Sequence, residues 1–147
     1  MKANVKFAKV RPDAKIPTRG SYYAAGYDLY ASCESVVEIM PHETVKIGTG
    51  LCIQPPDGYF GAIFARSGLA TKYGLRPSNC VGVCDEDYTG EYIVAIHNDS
   101  NNVQIIHSGD RIAQLVFLPY VNVEFEEVDK LDETARGSGG FGSTGSN

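Results

Sequence analysis

The segment from residue 79 to 92 reads Asn79-Cys80-Val81-Gly82-Val83-Cys84-Asp85-Glu86-Asp87-Tyr88-Thr89-Gly90-Glu91-Tyr92. It places three consecutive carboxylates, an aromatic ring and a glycine between two runs rich in β-branched residues. Val81 and Val83 alternate with smaller residues and Ile93-Val94-Ala95-Ile96 resumes the apolar pattern, so the spacing predicts a hairpin with the acids and Tyr88 near a strand end. A strand end holds side chains rigidly and leaves them reachable. Carboxylates there can meet phosphates if Mg²⁺ bridges the two, since the metal reverses the local sign. An acidic, solvated turn fits the same periodicity.

A second constellation offers the opposite charge. Tyr59 to Ala65 reads as a strand running into Arg66-Ser67-Gly68-Leu69-Ala70-Thr71-Lys72-Tyr73-Gly74, the only stretch with helical spacing, about two turns long. Arg66, Ser67 and Gly68 together present a guanidinium, a hydroxyl and free backbone N–H groups, an anion cradle; an N-capping Ser67 beside a surface arginine is the simpler reading. Asp28 stands among aromatic and apolar neighbours, where a carboxylate is costly unless paired or hydrogen-bonded. In Gly109-Asp110-Arg111-Ile112-Ala113-Gln114-Leu115 strict alternation puts Arg111, Ala113 and Leu115 on one face and Ile112, Gln114 and Val116 on the other. A glutamine among apolar residues needs partners, so Gln114 either ties the core together or reaches a ligand.

The elements that must position these groups are strands. Val5–Val10, a short strand within 24–31, Val36–Ile39, Thr44–Ile47, Leu51–Ile53, Val103–Ile106, the stretch after Asp110, and Val121–Val128 all read as strands, punctuated by Pro and Gly turns such as Pro55-Pro56-Asp57-Gly58. About ten short strands with almost no helical periodicity predict an all-β sandwich or barrel. At 147 residues one domain suffices. The formal charge of −5 argues against a long polyanion bound through a basic face, so no nucleic acid is expected as a partner. No apolar run is long enough for a membrane span and Met1-Lys2-Ala3-Asn4 does not open a signal peptide, so no membrane association is expected and the compartment is read as intracellular, cytoplasmic or that of a host cell. Cys33, Cys52, Cys80 and Cys84 form no metal-binding spacing: on a strand Cys80 and Cys84 would stand about 13 Å apart. They read as small buried apolar residues in a reducing compartment.

Beyond residue 134 the composition shifts to Ala135-Arg136-Gly137-Ser138-Gly139-Gly140-Phe141-Gly142-Ser143-Thr144-Gly145-Ser146-Asn147. G-x-G-x-x-G occurs here twice, but no strand precedes it in a βαβ unit and no helix can follow, so the dinucleotide-fold reading fails; no P-loop spacing exists either. What remains is a flexible arm whose Arg, hydroxyls and unhindered N–H groups could close over phosphates while Phe141 stacks on a base.

Five stretches, taken in order, resemble the five motifs of the trimeric dUTPases. They are Ala25-Gly26-Tyr27-Asp28-Leu29-Tyr30-Ala31; Ala65-Arg66-Ser67-Gly68-Leu69-Ala70; Gly82-Val83-Cys84-Asp85-Glu86-Asp87-Tyr88-Thr89-Gly90; Gly109 to Leu115; and Arg136 to Gly145. The resemblance spans nearly the whole chain. It implies a homotrimer of distorted jelly-roll subunits, residues 1–134 forming the barrel and 135–147 an arm that closes the site, with each active site assembled from three chains. It also implies Mg²⁺-dependent hydrolysis of dUTP to dUMP and pyrophosphate, the metal held mainly by substrate phosphates and water. On this sequence Asp85 would be the general base. Asn79 and backbone around Gly82 and Val83 would read the uracil edge, and Tyr88 would pack under the deoxyribose. Arg66, Ser67, Gly68 and Gln114 would hold phosphates, and Asp28 and Asp110 would support the site. Arg136, Gly142, Ser143 and Thr144 would grip the terminal phosphate under Phe141. Ala65, Cys84 and Thr89 stand where the family usually has proline, isoleucine or valine, and arginine. Cys84, beside the base, would be a place of thiol sensitivity. A related dCTP deaminase, and a trimeric nucleotide-binding barrel that signals or docks a partner, are the alternative readings.

Overall fold

Ten strands and one short helix make up residues 3–140, the part of the chain that the computed structural model describes. β1 (Lys6–Lys9), β4 (Thr44–Gln54), β8 (Glu91–Asn98) and β6 (Leu75–Pro77) form one sheet in the order β1-β4-β8-β6. β2 (Tyr27–Tyr30), β10 (Arg111–Pro119), β5 (Tyr59–Phe64) and β7 (Val81–Cys84) form a second in the order β2-β10-β5-β7, and β3 (Val37–Ile39) pairs with β9 (Gln104–Ile106). All pairings are antiparallel. The all-β expectation holds. Inward residues of the sheets, among them Leu29, Ile39, Ile47, Leu51, Ile63, Tyr92, Ile96, Ile112 and Leu115, meet in one buried cluster. Burial of that apolar surface is what holds the sheets face to face.

The segment from 79 to 92 is not a hairpin. β7 pairs with β5 and β8 pairs with β4 and β6, so residues 85–90 carry the chain from one sheet to the other. Periodicity shows two strands and a turn but not the partner of either strand, and here each strand has its ladder elsewhere. The burial of β7 follows from this: Cys84 faces the core while Val81 and Val83 face solvent.

Thr44–Ile47 and Leu51–Ile53 are one strand rather than two. Gly48 and Gly50, which punctuate the sequence like turn residues, sit at a register shift against β8. A Cβ on Gly48 would lie 2.4 Å from Glu91 Oε1, and that oxygen accepts the Gly50 N–H at 2.7 Å. The glycines admit the Glu91 carboxylate into the strand, a bulge rather than a break. The predicted strand over Val121–Val128 has no ladder: the stretch is irregular and exposed, with Val121 80% and Phe125 98% accessible. An extended segment becomes a strand only when a neighbour takes its N–H and C=O groups, and this chain offers it none among the described residues. Among the described residues no helix is long and apolar enough to cross a membrane.

Candidate active site

The phosphate-type groups gather where β5, β10 and β2 meet. α1 (Ser67–Tyr73) follows β5, and Arg66 occupies its N-cap position with extended backbone (φ −85°, ψ 130°). Ser67 is therefore the first helical residue and not the cap, so its exposed hydroxyl is free of capping duty. The first intrahelical bond is Ala70 N–H to Arg66 O at 3.0 Å, which leaves the N–H groups ahead of it without intrahelical partners. Gly68 is exposed, and nothing lies within 4 Å of where its Cβ would be, so packing within this chain does not require glycine there. Gly74 ends the helix in the left-handed region (φ 67°).

Asp28 is the organiser of this end. Its side chain is 14% exposed, accepts Arg66 Nε at 2.8 Å on one oxygen and faces Arg111 Nη1 at 3.3 Å with the other. Arg111 belongs to the group because of a bulge. Between Arg111 and Ala113 the register against β2 shifts, so that Arg111 pairs with Tyr30 and Gln114 with Asp28, placing Arg111 and Gln114 on one face of the sheet. Strict alternation places them on opposite faces, so the spacing alone does not reveal Arg111 as a site residue. Gln114 donates to the Ala65 carbonyl at 2.8 Å, and a Cβ on Gly26 would lie 2.3 Å from its Oε1. It thus locks the backbone just before Arg66. Asp110 acts at one remove: it accepts the His107 N–H at 2.8 Å and shapes the turn that leads into Arg111.

Of the nucleoside-type groups, Asp85 and Tyr88 lie beyond the far end of β7, whereas Asn79 stays at the end nearer Arg66. Asp85 and Asp87 are exposed and, with Glu86, Val83, Phe60, Gln54 and Tyr120, line a recess of about 730 Å³. Tyr88 donates to the Glu91 carbonyl at 3.0 Å and its ring lies 6.2 Å from that of buried Tyr92 at 33°. Gly90 lies directly against it: a Cβ there would fall 2.5 Å from the Tyr88 hydroxyl and 2.6 Å from Cζ. Asn79 is exposed at the other end of β7, where Cys80 adopts a left-handed backbone (φ 62°). Cys84 is buried, and desolvation pushes its thiol up to about 11, the nearby Tyr92 hydroxyl, which has no hydrogen-bond partner of its own among the described residues, working against the shift. A thiol so protonated is a poor nucleophile, which removes the expected thiol sensitivity beside Asp85. Cys80, by contrast, is exposed and Cys33 and Cys52 are half-buried, so of the four cysteines expected to be buried only Cys84 is.

The two groups are held apart within one chain. In the β5–β7 ladder Gly61 faces Cys84 and Phe64 faces Val81. Asp85 therefore leaves the ladder at one end and Arg66 at the other, six strand positions or roughly 20 Å apart at about 3.3 Å per residue. Arg136 is exposed and donates to Gly139 O at 2.9 Å, folded on its own segment. Phe141, Gly142, Ser143 and Thr144 lie outside the described residues.

The sequence and the all-β double sheet are shared by known proteins. Residues 12–145 match the dUTPase family profile, and the chain belongs to that family. It is 53% identical over 144 residues to the deoxyuridine 5'-triphosphate nucleotidohydrolase of Desulfitobacterium hafniense (strain DSM 10664 / DCB-2), covering 96% of this chain and 95% of that one. It is 46% identical over 136 residues to that of Kluyveromyces lactis, covering 92% and 89%. Among solved structures, the Staphylococcus bacteriophage 80alpha dUTPase with dUPNHPP superposes with a TM-score of 0.85 at 26% identity, covering 98% of this chain and 99% of that one. The fold is the all-β jelly roll of these enzymes.

Proposed function

We propose that this chain hydrolyses dUTP to dUMP and pyrophosphate, with Mg²⁺, in a homotrimer whose active sites draw on more than one subunit. The observation that carries the shared-site reading is the β5–β7 register, which sets Asp85 and Arg66 at opposite ends of one ladder. A triphosphate chain is shorter than that separation, so the two groups meet on one substrate only if a neighbouring subunit supplies one of them. The exposed apolar residues Val121, Phe125 and Leu131 and an apolar groove of about 450 Å³ between β1 and β10 favour the same assembly, since surface of this kind is usually covered.

In this reading Asp85 orients a water molecule and takes its proton as the water attacks the α-phosphorus. The bond to the β-phosphate oxygen breaks and pyrophosphate leaves. Tyr88 packs under the deoxyribose and leaves no room for a 2′-hydroxyl. Asn79 and the close-approaching backbone at Gly82 and Val83 read the uracil edge. Arg66, anchored by Asp28, supplies charge to the phosphates with Ser67, Gly68 and Gln114, an electrostatic contribution preorganised by the salt bridge. Residues 1–134 form the barrel and 135–147 an arm that closes on the phosphates through Arg136, Gly142, Ser143 and Thr144, with Phe141 over the base. Mg²⁺ would be held mainly by phosphate oxygens and water, the hard oxygen donors it prefers. Bound there, the ion neutralises triphosphate charge and improves the leaving group.

The test is pyrophosphate release from dUTP, dTTP, UTP and dCTP, with and without Mg²⁺. Turnover of dUTP alone is expected, and Asp85→Asn is expected to abolish it in a folded protein. Ammonia release from dCTP would reverse the assignment. Mixing refolded Asp85→Asn and Arg66→Ala subunits, each inactive alone, should restore activity; no recovery would place the whole site in one chain.

A further inference from the structure

The chemistry above leaves Glu86 without a role, although it is the residue next to Asp85. A single oxygen of its carboxylate, Oε2, accepts two hydrogen bonds from distant segments: the Gly58 N–H at 2.9 Å and the Tyr120 hydroxyl at 2.6 Å. Those two donors are themselves joined, because the Tyr120 N–H donates to the Gly58 carbonyl at 3.1 Å. Three pieces of chain therefore meet on one atom: the turn between β4 and β5, the end of β10, and the loop that follows β7.

That loop has little else to hold it. Among the described residues β7 is an edge strand whose only ladder is with β5, and that ladder ends at Cys84. Within residues 85–88 the Tyr88 N–H bonds to Asp85 O and the Tyr88 hydroxyl to Glu91 O, both local. Among the described residues, the two bonds to Glu86 are the side-chain bonds that tie residues 85–88 to segments distant in sequence, the Tyr88 hydroxyl reaching only to the start of β8. The Tyr120 hydroxyl, and after it the Gly58 N–H, hold the Glu86 carboxyl below its ordinary range, and the same contact raises the Tyr120 phenol. The acceptor is thus the ionised form, which makes the stronger, charge-assisted bond.

We infer that Glu86 is a positioning residue: by binding Gly58 N–H and the Tyr120 hydroxyl through one oxygen it fixes the loop that carries Asp85. The inference rests on the proposed role of Asp85 as base. Fixing the loop matters because a displacement of the base by about 1 Å can cost on the order of a hundredfold in rate.

Four variants of the full chain separate geometry from charge. Glu86→Gln keeps an oxygen with two lone pairs at the same reach, Glu86→Asp keeps the charge but is one methylene short, Glu86→Ala removes the acceptor, and Tyr120→Phe removes one donor. Pyrophosphate release from dUTP should give a kcat near wild type for Glu86→Gln and roughly tenfold to hundredfold lower for Glu86→Asp and Glu86→Ala, with KM moved far less. Tyr120→Phe should lower kcat less, and adding it to Glu86→Ala should cost nothing more. Amide exchange of residues 85–88 reads the clamp without turnover: much faster in Glu86→Ala and Glu86→Asp, and only slightly faster in Glu86→Gln, whose neutral oxygen accepts weaker bonds. Wild-type kcat in Glu86→Ala, rescue by Asp but not Gln, or unchanged exchange in Glu86→Ala overturns the inference. A wild-type chain that releases no pyrophosphate overturns the proposed function instead, and the exchange data still decide on the clamp.

Discussion

Replacing Gly90 with alanine should push the Tyr88 ring out of place, and the structure sets the size of the effect. A Cβ at residue 90 would stand 2.5 Å from the Tyr88 hydroxyl, 2.6 Å from Cζ and 2.9 Å from Cε2, all closer than carbon tolerates. The backbone cannot easily retreat, because Glu91 next door begins β8 and its carboxylate is seated on Gly50. Tyr88 is 43% exposed, so its ring is the part that yields. Swinging it away breaks the bond to Glu91 O, worth about 1 kcal/mol, and the ring contact with Tyr92, worth about another 1 kcal/mol. Alanine also stiffens the unfolded chain, which offsets roughly 0.4–1 kcal/mol of that loss. The net destabilisation is about 1–1.5 kcal/mol, a fall in Tm of about 2–6 °C for a domain of this size. The functional effect should be larger in selectivity than in stability. Tyr88 is the proposed platform for the deoxyribose, and a displaced ring opens space for a 2′-hydroxyl. Steady-state assays with dUTP and UTP should show the ratio of kcat/KM values falling by about tenfold, the equivalent of 1.4 kcal/mol. A Gly90→Ala protein with unchanged Tm and unchanged discrimination between dUTP and UTP would refute the placement of the ring and its role together.

Two further substitutions probe the ion pairs. Asp28→Asn keeps the shape and one acceptor for Arg66 but removes the charge shared with Arg111; with both partners of the main bond mostly buried, it should cost about 1–2 kcal/mol in thermal unfolding and lower kcat/KM for dUTP by about tenfold. At the far end of β8, Asp99 accepts two bonds from Arg76 at 2.7 and 3.0 Å, and those bonds hold its carboxyl below the ordinary value of 3.8. A depressed folded value means that the contribution is complete above pH 3.8 and is lost as pH falls through the folded value. The stability difference between the wild type and Asp99→Asn should therefore be constant at neutral pH and shrink below about pH 3.8; a difference that grows on acidification would contradict the pairing.

The β character of the chain, the short helix after Ala65 and the residue types of the site are legible in the sequence, because they depend on local spacing: alternation of period two, turn residues at fixed offsets, and acids, arginine and glutamine in short motifs. Asp28 was readable as a residue needing a partner, since an unpaired carboxylate among apolar neighbours is costly wherever the chain goes. What local spacing cannot carry is the identity of each strand's neighbour. That β7 and β8 belong to different sheets, that Gly48 and Gly50 make a bulge around Glu91 rather than a turn, and that a register shift brings Arg111 round to the side of Gln114 are facts of pairing between residues distant in sequence. Glu86 shows the same division. In sequence it is the middle of three acids; only the arrival of Gly58 and Tyr120 at one of its oxygens distinguishes it from Asp85 and Asp87. Local composition decided which groups could do chemistry, and tertiary pairing decided which of them face one another, because a side chain's partner is set by strand register and a shift of one residue reverses the face it occupies.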